Sequence, residues 1–195
     1  MNFLAHVQLS HGIAPLITGN LVADAYKGNK HELLPSAIQH GVILHRRIDH
    51  FTDTNPAVLE LKKILSPYFG RYAGVALDVY FDHFLSQHWE LFNKTKLIES
   101  IPVIHAHLTD NLEHVNDESK VFLERLISYN WLTAYERKGD LEQIFNQMSR
   151  RFNVDVLKNS MLPLEKHYFE IEATFIQFYP LLISESKHYI EKAGF

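Results

Sequence analysis

Apolar residues recur at three- and four-residue spacing from one end of this chain to the other. Nowhere do five or more residues alternate convincingly with the two-residue period of a strand. A chain patterned this way hides its apolar surface by packing helix on helix. The periodic runs are 3–10, 17–27, 36–51, 56–65, 75–92, 97–110, 118–136, 140–151 and 164–192. Stop signals separate them: Gly12 with Pro15, Gly28-Asn29, Asn55-Pro56, Pro67 with Gly70, and Gly139-Asp140. Asp117 and Asp140 stand where N-caps belong. Pro180 should end or kink the last run near Tyr179, because proline removes a helical hydrogen bond. No Pro/Ser-rich linker, repeat or low-complexity tract divides the chain. The expectation is all-α: a single domain over 1–195, built as a compact bundle of about eight helices.

Composition narrows the function. With 46% apolar and 22% charged residues the chain resembles ordinary globular proteins, so disorder is a poor reading. A net charge of −4 argues against nucleic acid as a partner. The absence of cysteine excludes disulfides, thiolate metal sites and a thiol nucleophile, and it suits a reducing compartment. The first twenty residues lack a basic leader, and no apolar run approaches the roughly 18–20 residues that cross a bilayer. A cytoplasmic protein with no membrane partner is expected.

Chemistry concentrates in the first 85 residues, where four polar pairs stand at i and i+4: Asn2/His6, Asn20/Asp24, His45/Asp49 and Asp78/Asp82. A helix advances about 100° per residue, so each pair lands on one face, one turn apart. Carboxylates among apolar neighbours are costly unless paired or holding a metal. Asp78 and Asp82 would repel each other unless a divalent cation lay between them. His83 follows directly. Carboxylates and imidazoles without thiolates suit Mn²⁺, Fe²⁺ or Zn²⁺, and an ion held this way can drive hydrolysis. Any one pair is equally a solvated face, a cap or a surface salt bridge. Four in one half of the chain, with none comparable afterwards, point to a shared site in a helical metal-dependent hydrolase.

Five segments in order carry a resemblance: MNFLAH, GNLVAD, HRRID with Asp53 four residues on, LDVYFDHFLSQHW and FIQFYP. Together they resemble the acyl carrier protein phosphodiesterase family, over nearly the whole chain. The resemblance implies a non-standard HD-domain phosphohydrolase, all-helical, using Mn²⁺ or another divalent cation such as Mg²⁺ or Fe²⁺. It implies hydrolysis of the phosphodiester between serine and 4′-phosphopantetheine in holo-acyl carrier protein, leaving the apo-protein. The doublet departs from the usual HD order: it reads Asp82-His83, not His-Asp.

Because of that departure the usual ligand set does not map onto this chain position by position; the expected metal site is Asp24, Asp78, Asp82 and His83, with Asp49 and His45 as further ligands or directly behind them. Asp24, His45, Arg46 and His6 are the candidate catalytic residues. Arg46, or else Arg47, would face the phosphoryl oxygens, and His6 or His45 would protonate the leaving oxygen. An acidic carrier protein calls for a basic docking face, for which Arg46, Arg47, Lys62, Lys63 and Arg71 are the candidates. Two alternatives stay open: an HD-type hydrolase of a nucleotide or other small phosphodiester, and a non-catalytic helical module that binds a carrier protein.

Overall fold

Every residue from Val79 to Ser86 is buried, polar ones included, so the helix that carries them has neighbours on all sides. The computed structural model describes residues 1–195 and contains helices and turns without a strand. Its α-helices are α1 (Phe3–Gln8), α2 (Ala14–Val22), α3 (Ser36–Thr54), α4 (Pro56–Phe69), α5 (Ala73–Gln87), α6 (Trp89–Phe92), α7 (Leu97–Asp110), α8 (Asp117–Ser128), α9 (Lys138–Phe152), α10 (Met161–Lys166) and α11 (Tyr168–Ala193). Three of them, α1, α6 and α10, have six residues or fewer, which leaves eight of substantial length. The all-α expectation holds, with about the expected number of helices.

Helix α5 forms the axis. Phe81 packs against Phe175 and Phe178 of α11 at centroid distances of 5.5 and 5.9 Å, and Phe84 meets Phe175 at 6.3 Å. Each such side chain, fully buried, contributes about 1.5–3 kcal/mol. Helices α3 and α4 flank α11, while α1 lies between α2 and α5.

The closest helix pair is α2 with α3, and two glycines make it possible. A Cβ on Gly41 would lie 2.5 Å from the Leu16 carbonyl oxygen and 2.8 Å from the Cα of Gly19. A Cβ on Gly19 would overlap the Ile38 carbonyl. Only residues without side chains allow these backbones to touch.

Several boundaries differ from the sequence expectation. Pro180 lies inside an unbroken α11: it is exposed on the outer face, while Phe178, Tyr179 and Leu182 are buried. Water can meet the carbonyl that the proline leaves free, so core packing carries the helix through. Run 75–92 breaks at His88, and run 118–136 gives way after Ser128 to a short 3₁₀ turn at Trp131–Thr133. The N-cap of α8 is Asn116, whose side chain accepts the Ser119 amide at 2.9 Å. Asp140 sits inside α9, paired with Arg137 at 2.7 Å.

Candidate active site

Helix α1 is too short to stand alone in water and is pinned at both ends. At its start the Asn2 side chain accepts the Phe3 amide at 3.0 Å. The Asp82 carboxylate accepts the Leu4 and Ala5 amides at 2.7 and 3.2 Å. At its end the His6 carbonyl accepts Ser10 Oγ at 2.9 Å and Asn20 Nδ2 at 2.9 Å. The buried His6 ring is thereby held over α3, where it stacks on His45 with centroids 4.1 Å apart and planes 14° apart.

His45 and Asp49 stand one turn apart on α3. The closeness of α2 and α3 brings the Asn20 carbonyl oxygen within 2.8 Å of His45 Nδ1. A carbonyl only accepts, so Nδ1 carries the proton and donates. In the neutral ring Nε2 then holds a lone pair, 3.1 Å from Asp49 Oδ2. A lone pair facing a carboxylate requires a cation between them, either a proton or a metal ion. His6 Nε2 reaches the other oxygen, Asp49 Oδ1, at 3.4 Å, and the Met1 carbonyl at 3.2 Å. Single ligand atoms of His6, His45 and Asp49 all lie within 4.8 Å of one another. Two imidazoles and a carboxylate form a donor set that suits a first-row divalent ion, and these residues fit one once the His6 proton leaves Nε2, where it faces the Met1 carbonyl, for the unpartnered Nδ1.

The electrostatics follow from burial and these contacts. Burial, and then the neighbouring His45, push the His6 imidazole down to about 4. Burial works against the Asp49 charge, yet the His45 and His6 rings lying against it hold its carboxyl far below the usual range. Burial raises Asp78, opposed by the Met1 α-amino group, which donates to Asp78 Oδ1 at 2.9 Å. That same amino group lies 3.6 Å from Asp49 Oδ1. A cavity of about 160 Å³ opens over this cluster, with Asn20, Asp24 and Asp78 also in its wall. A wider groove of about 440 Å³, lined by His88, Trp89, Lys96 and Glu136 among others, holds none of the residues singled out from the sequence.

A family model described as acyl carrier protein phosphodiesterase matches residues 1–182. The chain belongs to that family. Relatives carrying the same description include one from Enterobacter sp. (strain 638), 37% identical over 190 residues, 96% of this chain and 98% of the relative. Another, from Escherichia coli O139:H28 (strain E24377A / ETEC), is 35% identical over 96% of this chain and 98% of its own length. A third, from Klebsiella pneumoniae (strain 342), is 36% identical over 94% of this chain and 96% of its own length. No solved structure matches the chain.

In this member of the acyl carrier protein phosphodiesterase family, the cavity gathers His6, Asp24, His45, Asp49 and Asp78 from the sequence expectation. It leaves out Asp82 and His83, and the expectation that Asp24, Asp82 and His83 share one ion is corrected. Asp82 lies one turn deeper than Asp78, beneath α1, fully buried, with both oxygens taken by backbone amides. His83 is rotated about 100° further round α5. Its Nδ1 donates to the Tyr135 carbonyl at 2.7 Å, and its ring packs against Tyr168. His6, His45 and Asp49 converge as a group, with Asp24 and Asp78 beside them, while Asp82 and His83 stand apart.

Each arginine and lysine of the sequence expectation has a partner within the fold. Arg46 donates through Nη2 to the carbonyls of Tyr26 and Gly28 at 2.8 and 2.7 Å, stapling the turn that follows Asp24. It therefore faces backbone, and its assignment to phosphoryl oxygens is withdrawn. Arg47 pairs with Glu185 at 2.7 Å, Lys62 with Asp53 at 2.6 Å and Lys63 with Glu60 at 2.7 Å. Arg71 donates to the Tyr72 hydroxyl at 2.8 Å and lies over its ring. None of these five side chains lines the cavity. His6, neutral at pH 7, has no imidazolium proton to give, so its place as proton donor is withdrawn as well. Sequence reasoning missed the Asn20 carbonyl that orients His45, because a backbone acceptor leaves no trace in residue identity.

Proposed function

We propose that this chain is a metal-dependent phosphodiesterase that hydrolyses the 4′-phosphopantetheine–serine phosphodiester of holo-acyl carrier protein to give apo-acyl carrier protein. Membership of the family over residues 1–182 supports the substrate. The observation that carries the chemistry is the His45 ring, committed through Nδ1 to Asn20 and with Nε2 3.1 Å from Asp49. His6, His45 and Asp49 would hold the ion, with Asp78 beside them; Mn²⁺ is the first candidate, Mg²⁺ or Fe²⁺ the others. A divalent ion, when bound, polarises a phosphoryl oxygen and favours hydroxide over water at neutral pH.

The chain's own residues do the rest. Asn20 fixes the His45 tautomer, and Asp82 and Asn20 between them hold the backbone that carries His6. Asp24, exposed at the mouth and in no ion pair, is placed to accept a proton from the attacking water. Water oxygen bonds to phosphorus as its proton passes to Asp24, the bond from phosphorus to the serine oxygen breaks, and that oxygen takes a proton from solvent at the cavity mouth. The narrowness of the cavity suits a phosphodiester presented on a slender arm. A kinship with HD-domain phosphohydrolases would lie in this chemistry of histidine with aspartate, supplied here by His45 and Asp49 one turn apart on α3 with His6 from α1. With no cysteine and no helix long and apolar enough to cross a membrane, we read a cytoplasmic enzyme.

The experiment is release of 4′-phosphopantetheine from holo-acyl carrier protein by folded Asp49→Ala and His45→Ala variants, with Mn²⁺ or with chelator. Both substitutions and the chelator should reduce turnover at least ~100-fold. Near-normal turnover by Asp49→Ala would sink the reading. Nucleotides assayed beside the carrier protein test the substrate separately.

A further inference from the structure

Asp82 is the fully buried carboxylate of the central helix, and it faces neither solvent nor the cavity. Its Oδ2 accepts the Leu4 amide at 2.7 Å and its Oδ1 accepts the Ala5 amide at 3.2 Å. These are amides of the first turn of α1, where a helix has no backbone acceptors of its own. Buried amides left unpaired are costly, and a six-residue helix has little stability to spend on them. The next residue after Ala5 is His6. The chain therefore holds α1 by its amides from below, through Asp82, and by the His6 carbonyl from the side, through Asn20 and Ser10.

We propose that Asp82 is a positioning residue for the site: by gripping the first turn of α1 it sets where the His6 ring stands against His45 and Asp49. This rests on the reading of His6 as a member of the site. Asp82 is absent from the cavity wall and lies beneath α1, so its place in the fold is under the site and not at an ion within it. Burial pushes its carboxyl up to about 7, against the pull of the Leu4 and Ala5 amides, so the fold keeps a carboxyl here at a cost. An apolar residue of similar size would avoid that cost but would leave both amides unpaired.

The test uses the full chain with Asp82→Ala and Asp82→Asn, alone and combined with His6→Ala. Asparagine retains one acceptor, so it should keep part of the grip. Loss of placement by about an ångström lowers kcat on the order of 10–100-fold. We expect that loss for Asp82→Ala, a smaller one for Asp82→Asn, and KM for holo-acyl carrier protein within about twofold of the parent in each. Amide hydrogen exchange of metal-free protein should quicken at Leu4 and Ala5 in the same order. In the His6→Ala background, Asp82→Ala should cost no further activity, because its effect is exerted through His6. The proposal is overturned if Leu4 and Ala5 exchange at the parent rate in Asp82→Ala, or if the two substitutions multiply. Should Asp82→Ala not fold, Asp82→Asn decides by the same exchange measurement. Full activity of His6→Ala would instead remove the site reading, while exchange still reports on the grip itself.

Discussion

Acidifying the metal-free protein from pH 7 to pH 4 should destabilise it through His6, by an amount the structure lets one work out. The folded imidazole is pushed from its ordinary 6.5 down to about 4, first by burial and then by the stacked His45. At pH 7 the ring is neutral in both folded and unfolded chains, so its proton makes no difference. Below 6.5 the unfolded chain takes up a proton that the folded one refuses, so stability falls with pH until about 4 and then levels. At 1.36 kcal/mol for each pH unit, that window amounts to about 3 kcal/mol. It is a large part of the 5–15 kcal/mol typical of a domain. The assay is urea unfolding in chelator at several pH values, comparing the parent with His6→Gln, which cannot titrate. The difference between the two proteins should shrink by about 3 kcal/mol from pH 7 to pH 4. Other groups, Asp82 among them, act in both proteins and largely cancel. A difference that stays constant over that range would refute the argument that His6 is buried and neutral.

Further predictions follow from the packing around the site. Gly41→Ala puts a methyl 2.5 Å from the Leu16 carbonyl and should destabilise by roughly 1–3 kcal/mol, read by denaturant midpoint. By parting α2 from α3 it should also weaken the hold of Asn20 on His45 and lower turnover more than the lost stability explains. Arg46→Ala frees the turn after Asp24; kcat should fall ~10-fold while the melting temperature changes little, and an unchanged kcat would leave the staple without a role. Lys63→Ala breaks an exposed pair with Glu60 and should alter KM for holo-acyl carrier protein by less than about twofold. If charge steers docking at all, KM should still rise between low and high salt in both proteins.

The helical class, the approximate number of helices and the clustering of site chemistry in the first 85 residues could all be read from period and residue type. His45 and Asp49 are the clearest case: four residues apart, they must share a face whatever surrounds them. What could not be read is which faces meet. Asp78 and Asp82 have the same spacing, yet Asp78 borders the cavity while Asp82 lies beneath α1, because the neighbour that covers a face is chosen by the whole chain. His83, next in sequence, looks toward Tyr135 for the same reason. Pro180 signals an end or a kink near Tyr179, yet with Tyr179 and Leu182 buried on either side of it the helix runs on. Local spacing determines the angle between two side chains on one helix, since that angle is a property of the backbone alone. The meeting of His6 with His45 and Asp49 was decided by tertiary packing: by Gly19 and Gly41 letting two helices touch, and by Asp82 holding a third against them.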